Sequence, residues 1–188
     1  APYYNRPSAE GVYRHIMAIV EATDLPVMIY DIPGRTGVRI TDETLARLAE
    51  HERILAVKDA TGDVEQGFRR MEATGLEYYS GDDGLNFAWL AHGASGVVSV
   101  VAHADAHSWR EMITEVDAGD LAGARAVARR IRPLVQAIMG GGQGAVMAKE
   151  ALLLQGRIPS AALRLPLVRA EADEVAALRA VLDASGLL

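Results

Sequence analysis

The chain has 188 residues, 50% hydrophobic and 23% charged, enough for a sizeable folded core. Its formal net charge of −6 offers no basic field to nucleic acid or to an anionic membrane surface, and no apolar run approaches membrane-spanning length. The absence of cysteine excludes disulfides and thiolate metal sites and fits a reducing cytoplasm.

The first residues, Ala1-Pro2-Tyr3-Tyr4-Asn5-Arg6-Pro7, resemble no signal peptide and open in mid-loop, so the expectation is that a segment precedes them. Ser8 is placed to cap a helix over residues 9–22, with Val12, Ile16, Ile19 and Val20 on its apolar face. Residues 27–30 read as a short buried strand and 31–37 as a loop, with Pro33-Gly34 as its turn signal. Thr41 caps the next helix, in which Leu45, Leu48 and Ala49 face inward.

Then comes Ile54-Leu55-Ala56-Val57-Lys58-Asp59, an apolar run read as a strand buried on both faces and ending in a lysine. Of 19 basic residues only Lys58 and Lys149 are lysine. A desolvated amine can lose its proton and attack a carbonyl, which a guanidinium cannot do. Lys58 is therefore a candidate Schiff-base lysine. The plain alternative is a lysine reaching from the strand end to solvent.

Residues 63–73 read as a helix, 76–80 as a strand, 85–91 as a helix, 96–101 as a strand and 105–116 as a helix. Strand, loop and helix thus recur four times between Val27 and Val116, which implies parallel strands with helical crossovers. The period suits a (β/α) barrel or a doubly wound sheet, and the polar residues after the strands mark the C-terminal rim where sites sit in either fold. The division expected is a catalytic part, 1–119, and a strand-free helical part, 120–188.

Several motifs have plainer readings. The glycine run 140–144 follows a helix and lacks the Gly-Lys-Ser/Thr ending of a phosphate loop, so it reads as a hinge. His103 and His107 form a metal pair only if they share a helix turn, and capping explains them better. Asp82-Asp83 reads as a helix cap rather than a cation site. Tyr78 and Tyr79 lie within a strand and default to packing, one on each face. Tyr30 is different: it ends a strand one βα unit before Lys58, where a phenol serves as a proton shuttle for an imine. Arg35, in the following loop, suits bidentate capture of a carboxylate.

Five stretches together resemble dihydrodipicolinate synthases, the pyruvate-dependent class I aldolases. They are residues 2–7, Tyr30-Asp31-Ile32-Pro33-Gly34-Arg35-Thr36-Gly37, Val57-Lys58-Asp59-Ala60-Thr61-Gly62, Ser80-Gly81-Asp82-Asp83 and Gly96-Val97-Val98-Ser99-Val100. The resemblance implies an α/β fold, the C-terminal half of a (β/α)8 TIM barrel followed by a helical appendix. It implies an imine between Lys58 and pyruvate, with no metal or organic cofactor, and a proton relay through Tyr30. Tyr4 resembles a second relay tyrosine that reaches a neighbouring subunit's site, in a homo-oligomer that is a dimer of dimers. Arg35 would hold the carboxylate of aspartate semialdehyde, Val98 and Gly81 would line the substrate pocket, and Tyr3 matches a position near a lysine feedback site. The product would be 4-hydroxy-tetrahydrodipicolinate. Related lyases of N-acetylneuraminate and sugar acids resemble the chain at Tyr30 and Lys58 but usually lack the arginine. Asp31 and Asp59 stand where Asn and Glu are commoner, and the early Gly-Thr-Thr-Gly-Glu loop of the family is missing. A non-catalytic half-barrel is the reading from another class.

Overall fold

Five of the described helices start where a short polar side chain precedes an apolar periodicity, because its oxygen accepts one of the four unpaired N–H groups of the first turn. Ser8 accepts from the Gly11 amide, Thr41 from Thr44, Asp63 from Gln66, Asp105 from Ser108 and Asp120 from Gly123. The resulting helices are α1 (Ala9–Glu21), α3 (Asp42–Ala49), α4 (Val64–Thr74), α6 (Ala106–Asp117) and α7 (Leu121–Met139). Strands β1 (Val27–Asp31), β2 (Ile54–Asp59), β3 (Glu77–Ser80) and β4 (Gly96–Val97) complete the first part of the chain. The computed structural model describes residues 1–141 and 143–188. The hinge read at 140–144 falls partly on Gly142, outside the described residues.

The strands form one parallel sheet whose spatial order, β1-β2-β3-β4, is the order of the sequence. A doubly wound sheet reverses its strand order partway, and a barrel does not. This is the strand–helix run of a (β/α)8 barrel, followed by helices. Contacts divide the chain into two compact units, Ala1–Val98 and Ser99–Leu188.

In the sheet unit, apolar residues of α1 (Val12, Ile16, Val20) and α3 (Leu45, Leu48) pack with Trp89 of α5 (Asn86–Ala91) on Ile29, Val57 and Tyr78 of the strands. One face of the sheet is covered in this way. The expectation that β2 is buried on both faces holds at the consecutive residues Ala56 and Val57, 5% and 2% exposed, and fails at Leu55, which is 52% exposed. The register shifts at this point, with Val27 paired to Ile54 and Met28 to Ala56, so Leu55 is the extra, outward residue of a bulge while Ile54, Ala56 and Val57 stay buried.

Three further expectations change. The stretch read as a loop contains a four-residue helix, α2 (Pro33–Thr36), because Pro33 presets the helical φ and Gly37 closes the turn at φ 78°. The fourth strand is two residues long, since Val100 already has helical dihedrals and Val101–His103 form a 3-10 turn. That turn keeps His103 off the helix that carries His107, so the two do not share a helix turn. Asp82 does not cap α5, whose N-cap is Leu85 without a side-chain acceptor; it closes the preceding turn by accepting from the Gly84 amide at 3.0 Å.

The helical unit holds α6, α7, α8 (Gly144–Leu154) and α9 (Ala172–Ala184) among the described residues. Its core is built from Val127, Ile131, Leu134 and Ile138 of α7 with Leu178 and Leu182 of α9. Glu150 of α8 is fully buried and takes a two-pronged ion pair from Arg169, at 2.8 and 2.7 Å.

Candidate active site

Parallel register aligns the side chains at the strand ends into rows. Tyr30 on β1 is the register partner of Lys58 on β2, which in turn pairs with Tyr79 on β3. Side chains alternate along a strand, so these three project from the face opposite Ile29, Val57 and Tyr78. The Lys58 nitrogen lies 4.1 Å from the centre of the Tyr30 ring. The contact is with the ring face, which attracts the ammonium form. Burial acts the other way and lowers the Lys58 pKa, the Arg35 charge lowers it further, and Asp83 opposes both. The Tyr30 phenol is pushed up by burial, with Arg35 pulling it back.

Arg35 sits on α2, exposed, and its charge acts on both Lys58 and Tyr30. Among the described residues no carboxylate forms an ion pair with it. A fork-shaped cation left open beside a half-buried amine can take a carboxylate in two-pronged fashion. Thr36 braces the same turn, its hydroxyl lying 2.8 Å from the Val38 carbonyl oxygen.

Gly81 lies under the lysine. A Cβ at Gly81 would stand 2.8 Å from Lys58 Cε and 3.0 Å from its Cγ, so the lysine stem occupies the space a side chain would take. Sequence reasoning assigned Gly81 to the substrate; what the structure shows is room made for the amine. Val98, 39% exposed, donates its amide to the Ser80 carbonyl at 2.8 Å and ends the row of strand tips. Tyr79 turns its hydroxyl back along the strand to donate to Glu77 at 2.9 Å.

Tyr3 and Tyr4 are 78% and 87% exposed and line an open groove of about 450 Å³ with Pro2, Asn5 and His15. None of the residues around Lys58 lines that groove. Tyr4 has φ 71°, a left-handed backbone that costs a bulky side chain energy.

Sequence reasoning missed the polar cluster on the covered face of the same strand ends. Asp31 follows Tyr30, Asp59 follows Lys58, and the two carboxylates are register partners, both buried. Arg70 of α4, 5% exposed, donates to Asp31 Oδ2 at 3.3 Å, to Asp42 Oδ1 at 2.6 Å and to the Ile40 carbonyl at 2.6 Å. Asp59 accepts from the Thr61 amide and hydroxyl at 2.9 and 2.8 Å. Burial pushes both carboxyls above the usual carboxylate range. Nothing in the local sequence marks Arg70, one of two adjacent arginines on an amphipathic helix.

The sequence profile of the dihydrodipicolinate synthetase family matches residues 1–185. All of the chain is 46% identical, over 187 residues, to part of a 4-hydroxy-tetrahydrodipicolinate synthase of Bifidobacterium animalis subsp. lactis, covering 62% of that protein. It is 50% identical over 186 residues, 99% of its length, to the enzyme of the same name from Kineococcus radiotolerans, covering 60% of it. A crystal structure of dihydrodipicolinate synthase from Thermotoga maritima superposes on the whole chain with a TM-score of 0.94 at 39% identity, and 65% of that structure is covered. The chloride-inhibited Acinetobacter baumannii enzyme complexed with pyruvate gives 0.94 at 36% identity, with the same coverage. The chain thus spans about three fifths of the length of the curated relatives it matches.

Proposed function

The chain belongs to the dihydrodipicolinate synthetase family, and on that premise we propose that the full-length protein condenses pyruvate with aspartate 4-semialdehyde through a Schiff base on Lys58. The observation that carries this reading is the half-buried Lys58 amine, its pKa lowered, seated over Tyr30 with the open Arg35 fork nearby. The free amine adds to the ketone carbon of pyruvate, and loss of water from the carbinolamine gives the imine. Tyr30 passes the protons that this step and its reversal need. The protonated imine draws electrons from the adjacent methyl carbon, which loses a proton to become an enamine, so the chemistry asks for no metal or organic cofactor. The enamine carbon attacks the aldehyde, and Arg35 holds the acceptor's carboxylate in place. Water then releases the lysine, and the amine of the acceptor closes the ring of 4-hydroxy-tetrahydrodipicolinate.

In the same reading the backbone of Gly81 and Val98 lines the pyruvate pocket. Tyr4 is a second relay phenol delivered across an interface between two copies, in a homo-oligomer arranged as a dimer of dimers. Its exposure and left-handed backbone fit a side chain held ready for a partner. Tyr3 belongs to a regulatory groove, and the setting is the cytoplasm; no described helix is long and apolar enough to cross a membrane.

The test is borohydride reduction of the full-length protein in the presence of pyruvate, followed by peptide mapping. The expected adduct is on Lys58 alone and is lost in Lys58→Ala. An adduct on any other residue, or none, overturns the assignment.

A further inference from the structure

Tyr30 and Asp31 are consecutive, so they point to opposite faces of β1: the phenol to the lysine, the carboxylate to the covered side. Whatever fixes Asp31 therefore fixes the backbone from which Tyr30 projects. The Asp31 carbonyl accepts from the Ala60 amide at 2.9 Å, tying the end of β1 to the residue after β2. Its carboxylate accepts from the Ile40 amide at 3.4 Å and from Arg70 at 3.3 Å. Arg70 itself belongs to α4, 39 positions further along, and its other donors hold the Ile40 carbonyl and Asp42, the first residue of α3. One guanidinium thus joins three segments that the chain connects only through long detours. The pairing of β1 with β2 ends one residue beyond Tyr30 and Lys58, at Asp31 and Asp59.

We infer that Arg70 is a positioning residue: by clamping Asp31 to α3 and to the Ile40 carbonyl, it holds the rim end of β1 so that Tyr30 stays in register with Lys58. This rests on the Schiff-base reading above. A fork with five N–H donors can bridge three acceptors at fixed angles, whereas a lysine ammonium is a single point on a flexible stem. The same fork offsets the charge of a buried carboxylate, so its role in geometry must be separated from its role in stability.

The experiment uses the full-length protein in four forms: unaltered, Arg70→Lys, Arg70→Met, and Arg70→Met combined with Asp31→Asn. Thermal midpoint, KM for pyruvate and the single-turnover rate of imine formation, trapped by borohydride, are measured for each. Arg70→Met lowers both midpoint and rate, because it leaves Asp31 buried and unpaired. The double variant removes that charge and regains most of the midpoint. Its imine rate stays roughly tenfold to a hundredfold low with KM changed less than about twofold, the signature of misplaced groups. Arg70→Lys keeps the charge and most of the midpoint but loses at least about fivefold in rate. If the double variant regains rate and midpoint together, Arg70 only neutralises charge and the inference is overturned. Should Arg70→Met fail to fold, Arg70→Lys decides alone, and an unaltered rate there overturns the inference. Absence of a Lys58 adduct in the unaltered protein defeats the Schiff-base reading itself; a normal adduct with unaffected variants defeats only the role of Arg70.

Discussion

In the helical unit the buried carboxylate of Glu150 is satisfied by Arg169, 19 residues along the chain, while in the sheet unit Arg70 reaches 39 residues back to Asp31 and 30 back to Ile40. The first pair closes a short stretch upon itself. The second gathers two helices and a strand at the end of β1 that carries Tyr30, the proposed proton relay. Buried charge of the local kind can be exchanged for an apolar pair with little effect beyond stability. In the sheet unit the same exchange is expected also to shift Tyr30 relative to Lys58. On the Schiff-base reading, the groups proposed to react stand where long-range polar ties are dense, and substitutions there and in the helical unit separate packing from positioning.

The largest expected effect is on packing. Gly67 of α4 lies against Trp89, and a Cβ there would stand 2.0 Å from Trp89 Cη2. The indole cannot retreat, since it is stacked with Tyr78 at 5.7 Å and meets Phe68 edge-on at 5.3 Å. Gly67→Ala gains about 1 kcal/mol of helix propensity and loses more to overpacking, a net cost of about 2 kcal/mol, or roughly 4–8 °C in midpoint. In the helical unit, a Cβ at Gly144 would meet the flexible Met139 Sδ at 2.7 Å, which can swing aside. Gly144→Ala is expected to stay within about 1 kcal/mol of the parent in denaturant melts. A larger loss at Gly144 than at Gly67 would reverse the contrast between the units.

A smaller effect, and on rate rather than stability, is expected at Gly81. The atoms nearest the added methyl of Gly81→Ala are those of the Lys58 stem, at 2.8 and 3.0 Å, and the Cβ of Ala60 at 3.1 Å, so the flexible lysine is the neighbour that gives way. The midpoint should change little, while the imine rate with pyruvate drops about tenfold because the amine is pushed from its seat over Tyr30. A loss of midpoint without a loss of rate would mean that Gly81 serves packing alone.

How much of this was legible beforehand depends on distance along the chain. Ser8 and Thr41 announce their helices because a cap acts over three residues, and the fourfold alternation announces the parallel sheet because each unit repeats the same local pattern. Lys58 stood out because a charge at the end of an apolar run is unusual, and Tyr30 because βα spacing places adjacent strand ends side by side. Arg70 carried no such mark: its partners are 28, 30 and 39 residues away, and from sequence it is one arginine among many. Asp31 and Asp59 read as close substitutes for Asn and Glu, a comparison that says nothing of the shared burial that makes their charge matter. The brevity of β4 was also hidden, because Val98, Val100 and Val101 favour a strand, whereas the fold ends the strand at Val97 and begins a 3-10 turn at Val101.

The smallest expected effect concerns pH. Lys58 titrates below its ordinary value of 10.5, first through burial and then through the Arg35 charge. A lowered pKa leaves more free amine at neutral pH, and the rate of imine formation rises with pH until the lysine is fully deprotonated. Arg35→Gln removes a cation that penalises the ammonium, so the Lys58 pKa moves up and the rising limb of the profile shifts to higher pH. It does not return to that of an exposed lysine, because burial remains. Stability follows the same sign. Between the lowered folded pKa and 10.5 the unfolded chain binds more protons, so the unaltered protein gains stability as pH climbs through that window, and the variant gains less. At a fixed pH above both limbs the imine rate should match the unaltered protein, while turnover of the semialdehyde acceptor stays low because its carboxylate has lost the fork. A profile that does not move, with acceptor turnover still lost, would confine Arg35 to holding substrate and leave the lysine's acidity to burial alone.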